Sequence, residues 1–262
     1  MRVLRHSYYV GAYYLCWVWF GLGGLLLNSV CAFLLLIPAR RQLAPKVRAT
    51  IRWMFAWWVK WFHASGVLKI TWEGFEDPLE AGTIYIANHP TLIDAPVLLA
   101  QLPNAICIFK SALLHNPFVA PAAIMAGYAA GDTGVDLIRA AAEKVASGCS
   151  LLIFPEGTRT TPGNALDPLK PGFALIAQRA QAPIRIITLR ASPGLVPRGQ
   201  RWWCPPLQLP ATLEIKLEKE LAPETYGTPA EITAMTQERL ASLAPIVPTL
   251  SCLCPVPPAT SC

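Results

Sequence analysis

Ala87-Asn88-His89-Pro90-Thr91-Leu92-Ile93-Asp94 follows directly on a short β-rich apolar run, Thr83 to Ala87. Such a run reads as a buried strand, and His89 then stands at its C-terminal end. Pro90-Thr91 turns the chain into a helix expected over Ile93 to Leu102, with Pro96 tolerated because it falls in the first turn. An imidazole at a strand end, with a carboxylate five positions on, makes a base and its orienter if the chain folds back between them. Asp94 is equally suited to capping the helix it opens, and spacing alone leaves both roles open.

Working outward, strands are expected at Val67 to Trp72, Ala105 to Phe109, Ser150 to Phe154, Ile184 to Leu189 and Thr212 to Leu217. Helical periodicity covers Val135 to Ser147, Pro171 to Ala180 and Thr228 to Leu243. This alternation predicts an α/β fold with a mostly parallel sheet flanked by helices. In such sheets functional groups gather outside the carboxyl ends of the strands. The Ser150 to Phe154 run opens there onto Pro155-Glu156-Gly157-Thr158-Arg159. Arg159 offers a fork of donors to a phosphate or carboxylate, and backbone N–H groups around Gly157 suit an anion nest. An Arg159–Glu156 ion pair is the structural alternative. Lys110, directly after a strand, is either a second cation for the site or a solvated lysine. The chain holds no Gly-x-Ser-x-Gly elbow, so a substrate hydroxyl would take the place of an enzymic nucleophile.

The front of the chain has another character. Val10 to Ile37 carries no charged residue for 28 positions, about 42 Å as a helix against a hydrocarbon core of roughly 30 Å. It either spans with tilt or breaks near Gly21-Leu22-Gly23-Gly24 and re-enters. Tyr8, Tyr9, Tyr13 and Tyr14 suit an interface. Val47, Ile51, Phe55, Trp58 and Phe62 then line one face of a helix that also carries Trp53, Trp57 and Trp61. That helix is expected to lie in the membrane interface, to pack on the globular part, or to do both. Arg40, Arg41, Lys46, Arg48, Arg52 and Lys60 follow the apolar stretch, against Arg2 and Arg5 before it, which places the remainder on the cytoplasmic face. The expected organisation is a membrane anchor over 1–63, a catalytic domain over 64–243 and a disordered tail over 244–262.

Charge supports a membrane rather than nucleic acid as partner. Residues 1–72 hold nine Lys/Arg and no Asp/Glu, whereas the rest holds thirteen against sixteen. No nucleic-acid-binding motif accompanies the basic residues. The eight cysteines form no CxxC pair and no Cys/His metal spacing, and read as small apolar thiols.

Taken together, these blocks resemble the membrane-bound glycerolipid acyltransferases of the 1-acylglycerol-3-phosphate acyltransferase type. Asn88 to Asp94 is similar to their His-x4-Asp motif, Lys110-Ser111-Ala112-Leu113 through Asn116-Pro117-Phe118 and Gly127 to the second block, and Phe154 to Arg159 to the third. Lys170-Pro171-Gly172 and Ala182-Pro183-Ile184 fall where later elements would. The resemblance implies transfer of an acyl group from acyl-CoA or acyl-carrier protein to a lysolipid hydroxyl in phospholipid biosynthesis. It implies His89 as base, Asp94 as orienter, and Glu156, Gly157, Thr158 and Arg159 as the acceptor's phosphate loop with Lys110 as helper. Neither metal nor cofactor is implied. Two positions depart from the pattern: Tyr128-Ala129-Ala130-Gly131-Asp132 lacks the arginine expected after the glycine, and Ile186 stands where a second proline is usual. An acceptor less dependent on phosphate, in a specialised lipid or metabolite pathway, is therefore a second expectation, and a non-catalytic membrane-anchored lipid binder a third.

Overall fold

The computed structural model describes residues 2–38, 40–109, 114–130 and 134–248. Two helices come first, α1 (Arg2–Leu34) and α2 (Ala44–Ala64), followed by β1 (Leu68–Glu73), β2 (Ile84–Ala87), α3 (Asp94–Leu99) and β3 (Ala105–Phe109). Then come α4 (Ala120–Ala126), β4 (Ala129–Ala130), α5 (Val135–Ala146), β5 (Ser150–Ile153), α6 (Gly172–Ala180), β6 (Ile184–Ser192), β7 (Ala211–Leu221) and α7 (Pro229–Leu243). The strands form one sheet in the order β1-β7-β6-β2-β5-β3-β4. Every pairing is parallel except β6 with β7. Those two are joined without a crossover helix, the connection that parallel neighbours require.

Strand β2 lies at the centre and is buried on both faces, as a strand covered by helices on each side must be. Tyr85 and Ala87 share a core with Trp58 and Phe62 of α2, Val97 and Leu98 of α3, and Leu213 and Ile215 of β7. Ile84 and Ile86 face the other way, into Ala141 and Val145 of α5, Phe173 and Ile176 of α6, and Ile232 and Leu240 of α7. The predicted α/β architecture is present. Helix α3 is shorter than the Ile93 to Leu102 expected, because the chain passes into turns over Ala100–Asn104 before β3. Strand β7 runs on past the expected Leu217 to Leu221, where Glu220 and Leu221 pair with Arg185 and Ile184 of β6. Helix α4 had no amphipathic signal: it is built of small residues, of which Ala122 and Ala126 pack on Cys31, Val47 and Ile51.

The front is one continuous helix with no break at Gly21–Gly24. Among the described residues it is the one helix long and apolar enough to cross a membrane, by length and composition. It does not stand apart from the rest. Tyr13 and Trp17 belong to the same core as Val67, Leu68 and Leu213, and further along Cys31 packs on α2 and α4. Asn28 accepts the Ala122 N–H at 3.1 Å. On α2 the expected stripe faces inward, and Trp53, Trp57 and Trp61 are exposed on the other side. Arg48, counted at first among the surface cations, is buried; it donates from Nε to Asn104 Oδ1 and from Nη1 to the Ala126 carbonyl, each at 2.7 Å.

Two further expectations change. The tail does not begin at 244: the Val247 N–H donates to Asn164 and the Gly163 N–H to Val247, both at 2.8 Å. Backbone pairing with a distant turn leaves no periodic trace in sequence. Residues 249–262 lie outside the described residues. Cys16, Cys31, Cys107 and Cys149 are free thiols, but Cys204 is disulfide-bonded.

Arg48→Ala would strand the buried Ala126 carbonyl and the half-buried Asn104 amide oxygen, and is expected to cost about 2–4 kcal/mol. Denaturant unfolding in detergent measures it, and a loss below about 0.5 kcal/mol would contradict the role of Arg48 as the clamp between α2 and the sheet.

Candidate active site

Strand register brings the two loops together. Ile86 of β2 lies opposite Ile153 of β5, so three residues further along each chain His89 and Glu156 are level. The His89 N–H donates to Glu156 Oε1 at 2.9 Å, and the Thr160 N–H donates to the His89 carbonyl at 2.8 Å. Phe154, the first residue past β5, stacks on the imidazole with ring centroids 4.1 Å apart. On the other side, the Asn88 side chain donates to the Leu189 carbonyl at 2.9 Å and accepts the Leu189 N–H at 2.7 Å. It thus extends the β2–β6 ladder by one side-chain amide. His89 is held by its own backbone, its ring face and its neighbour.

The ring nitrogen Nδ1 lies 2.9 Å from Asp94 Oδ2. Asp94 is fully buried and the histidine side chain is 17% exposed. The same oxygen accepts the Thr91 N–H at 2.6 Å, and the other carboxylate oxygen accepts the Thr91 hydroxyl. Asp94 does not cap α3, whose N-cap is Ile93 with no side-chain cap hydrogen bond; it ties the preceding turn through Thr91 and faces the imidazole. A carboxylate on Nδ1 selects the tautomer with the proton there and leaves Nε2 as an acceptor. Among the described residues nothing hydrogen-bonds Nε2.

Glu156 is buried and is not the partner of Arg159. Its Oε1 also accepts the Thr160 hydroxyl at 3.0 Å, and its Oε2 accepts the Asp167 N–H at 2.9 Å. Burial raises its pKa, against the lowering pull of these hydrogen bonds. Both carboxylate oxygens are engaged within the protein, so Glu156 braces the loop rather than reaching outward from it. Gly157 is the turn residue, at φ 73°, in the left-handed region that a side chain disfavours. A Cβ there would also sit 2.8 Å from Lys170 Nζ. Thr158 is half-buried beside it.

Arg159 points to a third loop. Its Nη1 donates to the carbonyls of Val196 at 2.9 Å and Pro197 at 3.1 Å. Val196 also accepts the Leu92 N–H at 3.0 Å and adopts φ 58°. That conformation costs a β-branched residue of order 1–3 kcal/mol, and it recurs where surrounding structure over-determines a site. The guanidinium pKa is lowered by burial, partly offset by attraction to Asp94, with Arg198 adding repulsion. Arg159 is thus within electrostatic reach of the dyad. Lys110 lies outside the described residues.

Reading the residues one by one missed several neighbours. Thr91 was read only as part of the turn before α3, and Thr160 carried no signal. Arg198, which donates to the Thr161 hydroxyl at 2.8 Å and lies 3.6 Å from Asp167, sits in a loop with no motif. Lys170 had one signal, its place in Lys170-Pro171-Gly172. A cleft of about 350 Å³ opens beside the dyad, lined among others by Pro90, Thr91, Gly194, Pro197, Gln200 and Leu207.

Known proteins match this region in sequence and in fold. Residues 69–190 match the family described as Acyltransferase, a stretch that includes His89, Asp94 and the 154–160 loop. A 1-acyl-sn-glycerol-3-phosphate acyltransferase of Helicobacter pylori is 34% identical over 119 residues, 40% of this chain and 47% of that protein. A chloroplastic 1-acyl-sn-glycerol-3-phosphate acyltransferase of Brassica napus is 31% identical over 134 residues, 48% of this chain and 39% of that protein. The matched region is thus less than half the length of either relative. The crystal structure of the 1-acyl-sn-glycerophosphate acyltransferase PlsC from Thermotoga maritima superposes with a TM-score of 0.68 at 21% identity, covering 92% of this chain and 95% of that one. That likeness extends the shared fold to the helical front as well as the sheet. Residues 69–190, a little under half of the chain, are thus similar to the Acyltransferase family.

Proposed function

We propose that this chain transfers an acyl group from an acyl thioester, carried by coenzyme A or acyl-carrier protein, to the hydroxyl of a lysolipid, with 1-acylglycerol-3-phosphate as the first candidate acceptor. The observation that carries the reading is the His89–Asp94 pair, with Nδ1 on a buried carboxylate 2.9 Å away and an arginine within electrostatic reach. A protein that only binds lipid has no use for an oriented base. The names of the relatives point to the same acceptor.

In this reaction Nε2 of His89 takes the proton of the acceptor hydroxyl as its oxygen attacks the thioester carbonyl. Asp94 stabilises the imidazolium that forms. The tetrahedral intermediate collapses by breaking the C–S bond, and the leaving thiolate takes the proton back from Nε2. The products are an ester and a free thiol, with no acyl-enzyme. Arg159 would hold the acceptor phosphate with the guanidinium nitrogens it does not spend on Val196 and Pro197. The second reading, an acceptor less dependent on phosphate, is favoured by Tyr128-Ala129-Ala130, which lacks the arginine that the family resemblance leads one to expect after the glycine.

We place the site at a membrane, with α1 and α2 lying in one face of the bilayer. Tyr13 and Cys31 both contact the globular part, and 18 residues of helix separate them, about 27 Å. A crossing helix with those contacts would carry the sheet and its loops to hydrocarbon depth, where irregular backbone exposed to lipid is not sustained. An interfacial placement keeps the exposed apolar side of α1 in lipid and the sheet in water. The basic first 72 residues suit the anionic cytoplasmic leaflet.

Thiol release from acyl-CoA and acyl-carrier protein, with and without a panel of lysolipids, tests the reaction. His89→Ala should lower acceptor-dependent release by about 10²–10⁴-fold with an unchanged thermal transition, and full activity would overturn the mechanism. Arg159→Ala should raise the KM for a phosphate-bearing acceptor by roughly 10–100-fold. An unchanged KM would favour the phosphate-independent acceptor.

A further inference from the structure

The loop between β6 and β7 has no part in the chemistry above except through its Val196 and Pro197 carbonyls. From Pro193 to Pro210 it contains no Asp or Glu and two arginines, Arg198 and Arg201. At its tip Trp202 and Trp203 are 47% and 45% exposed, and the Arg201 guanidinium lies over the Trp203 ring at 5.3 Å. Two adjacent half-exposed tryptophans are unusual on a surface that meets only water. Their backbone is fixed: Tyr13 donates its hydroxyl to the Trp202 carbonyl at 2.5 Å and Tyr14 to the Trp203 carbonyl at 2.9 Å. Trp202 also packs on Trp17, with ring centroids 5.9 Å apart.

These contacts set the loop against one flank of α1, while α2 occupies the other flank, where Trp19 meets Trp61 at 6.3 Å. Between the flanks α1 exposes Leu15, Val18, Trp19 and Leu22. Exposed apolar residues of α1 thus lie between the loop on one flank and Trp61 of α2 on the other. Aromatic residues with a cation at their edge match the boundary between acyl chains and anionic headgroups.

We propose that the Arg201–Trp203 tip is a third membrane-contacting element beside α1 and α2, seated in the interface of an anionic bilayer. It rests on the interfacial placement of α1 given above. The tip and the two carbonyls that hold Arg159 belong to one loop, so seating the tip fixes the height of that guanidinium relative to the headgroup layer.

Flotation of the full chain with vesicles of phosphatidylcholine and phosphatidylglycerol, against phosphatidylcholine alone, tests this. Burial of two half-exposed indoles predicts that W202S/W203S lowers vesicle affinity roughly tenfold or more. R201E should weaken binding to the anionic vesicles and leave the neutral ones unchanged. Undiminished binding by W202S/W203S, with the wild type bound, would overturn the loop's role and leave the placement of α1 standing. Failure of the wild type to bind, or no effect of L15S/L22S, would overturn the placement itself and the loop with it. Should W202S/W203S not fold, W202F/W203F keeps the packing, and brominated-lipid quenching reads the depth. Less quenched fluorescence in W202F/W203F than in the wild type supports seating, and an equal quenched signal excludes it.

Discussion

The backbone of His89 is gripped from one side by a carboxylate and from the other by an amide of the same loop. Glu156 takes its N–H and Thr160 supplies a donor to its carbonyl. Nearly everything else in the site depends on that clasp. It sets the imidazole on the Phe154 ring, at a height where Asp94 can reach Nδ1, and it commits the most buried acid of the loop to structure. A base must hold its geometry within fractions of an ångström for its chemistry to be efficient. Here that geometry derives from strand register: β2 and β5 pair so that positions 89 and 156 coincide.

Three loops converge outside the carboxyl ends of β2, β5 and β6, and each supplies a different kind of group. The first brings the base and its orienter, the second a glycine turn and a cation, the third the carbonyls that aim the cation. Val196 is where they meet, since its carbonyl accepts from both Leu92 and Arg159. Because the third loop also leans on α1 through Tyr13 and Tyr14, the helical front and the reacting groups are parts of one mechanical unit. The shared core of α1, α2, β1 and β7 says the same in terms of packing.

Much of this was legible in the sequence, for reasons that differ by element. The strands ending at Ala87 and Phe109 were visible because buried parallel strands are short β-rich runs bounded by turns. The pair His89 and Asp94 was visible as chemistry, but not as geometry, since a helix cap and a dyad share that spacing. An ion pair between Glu156 and Arg159 was one of two readings left open by their closeness in the chain. The structure separates them, because the carboxylate is claimed by amides that only strand pairing brings near. Arg48 looked like one more membrane-facing cation, and nothing local signals that its partners are Asn104 and Ala126. Long-range pairing is what single-sequence reading lacks, and Val247 and Trp202 were missed for the same reason.

The account turns on direct attack by an acceptor hydroxyl that His89 deprotonates. A single-turnover experiment with excess protein over acyl thioester examines that step most directly, comparing a lysolipid with its deoxy analogue. The account predicts thiol release only with the hydroxyl-bearing acceptor, and ester product appearing at the same rate as thiol. A stoichiometric burst of thiol with the deoxy analogue, leaving the acyl group on the protein, would contradict it.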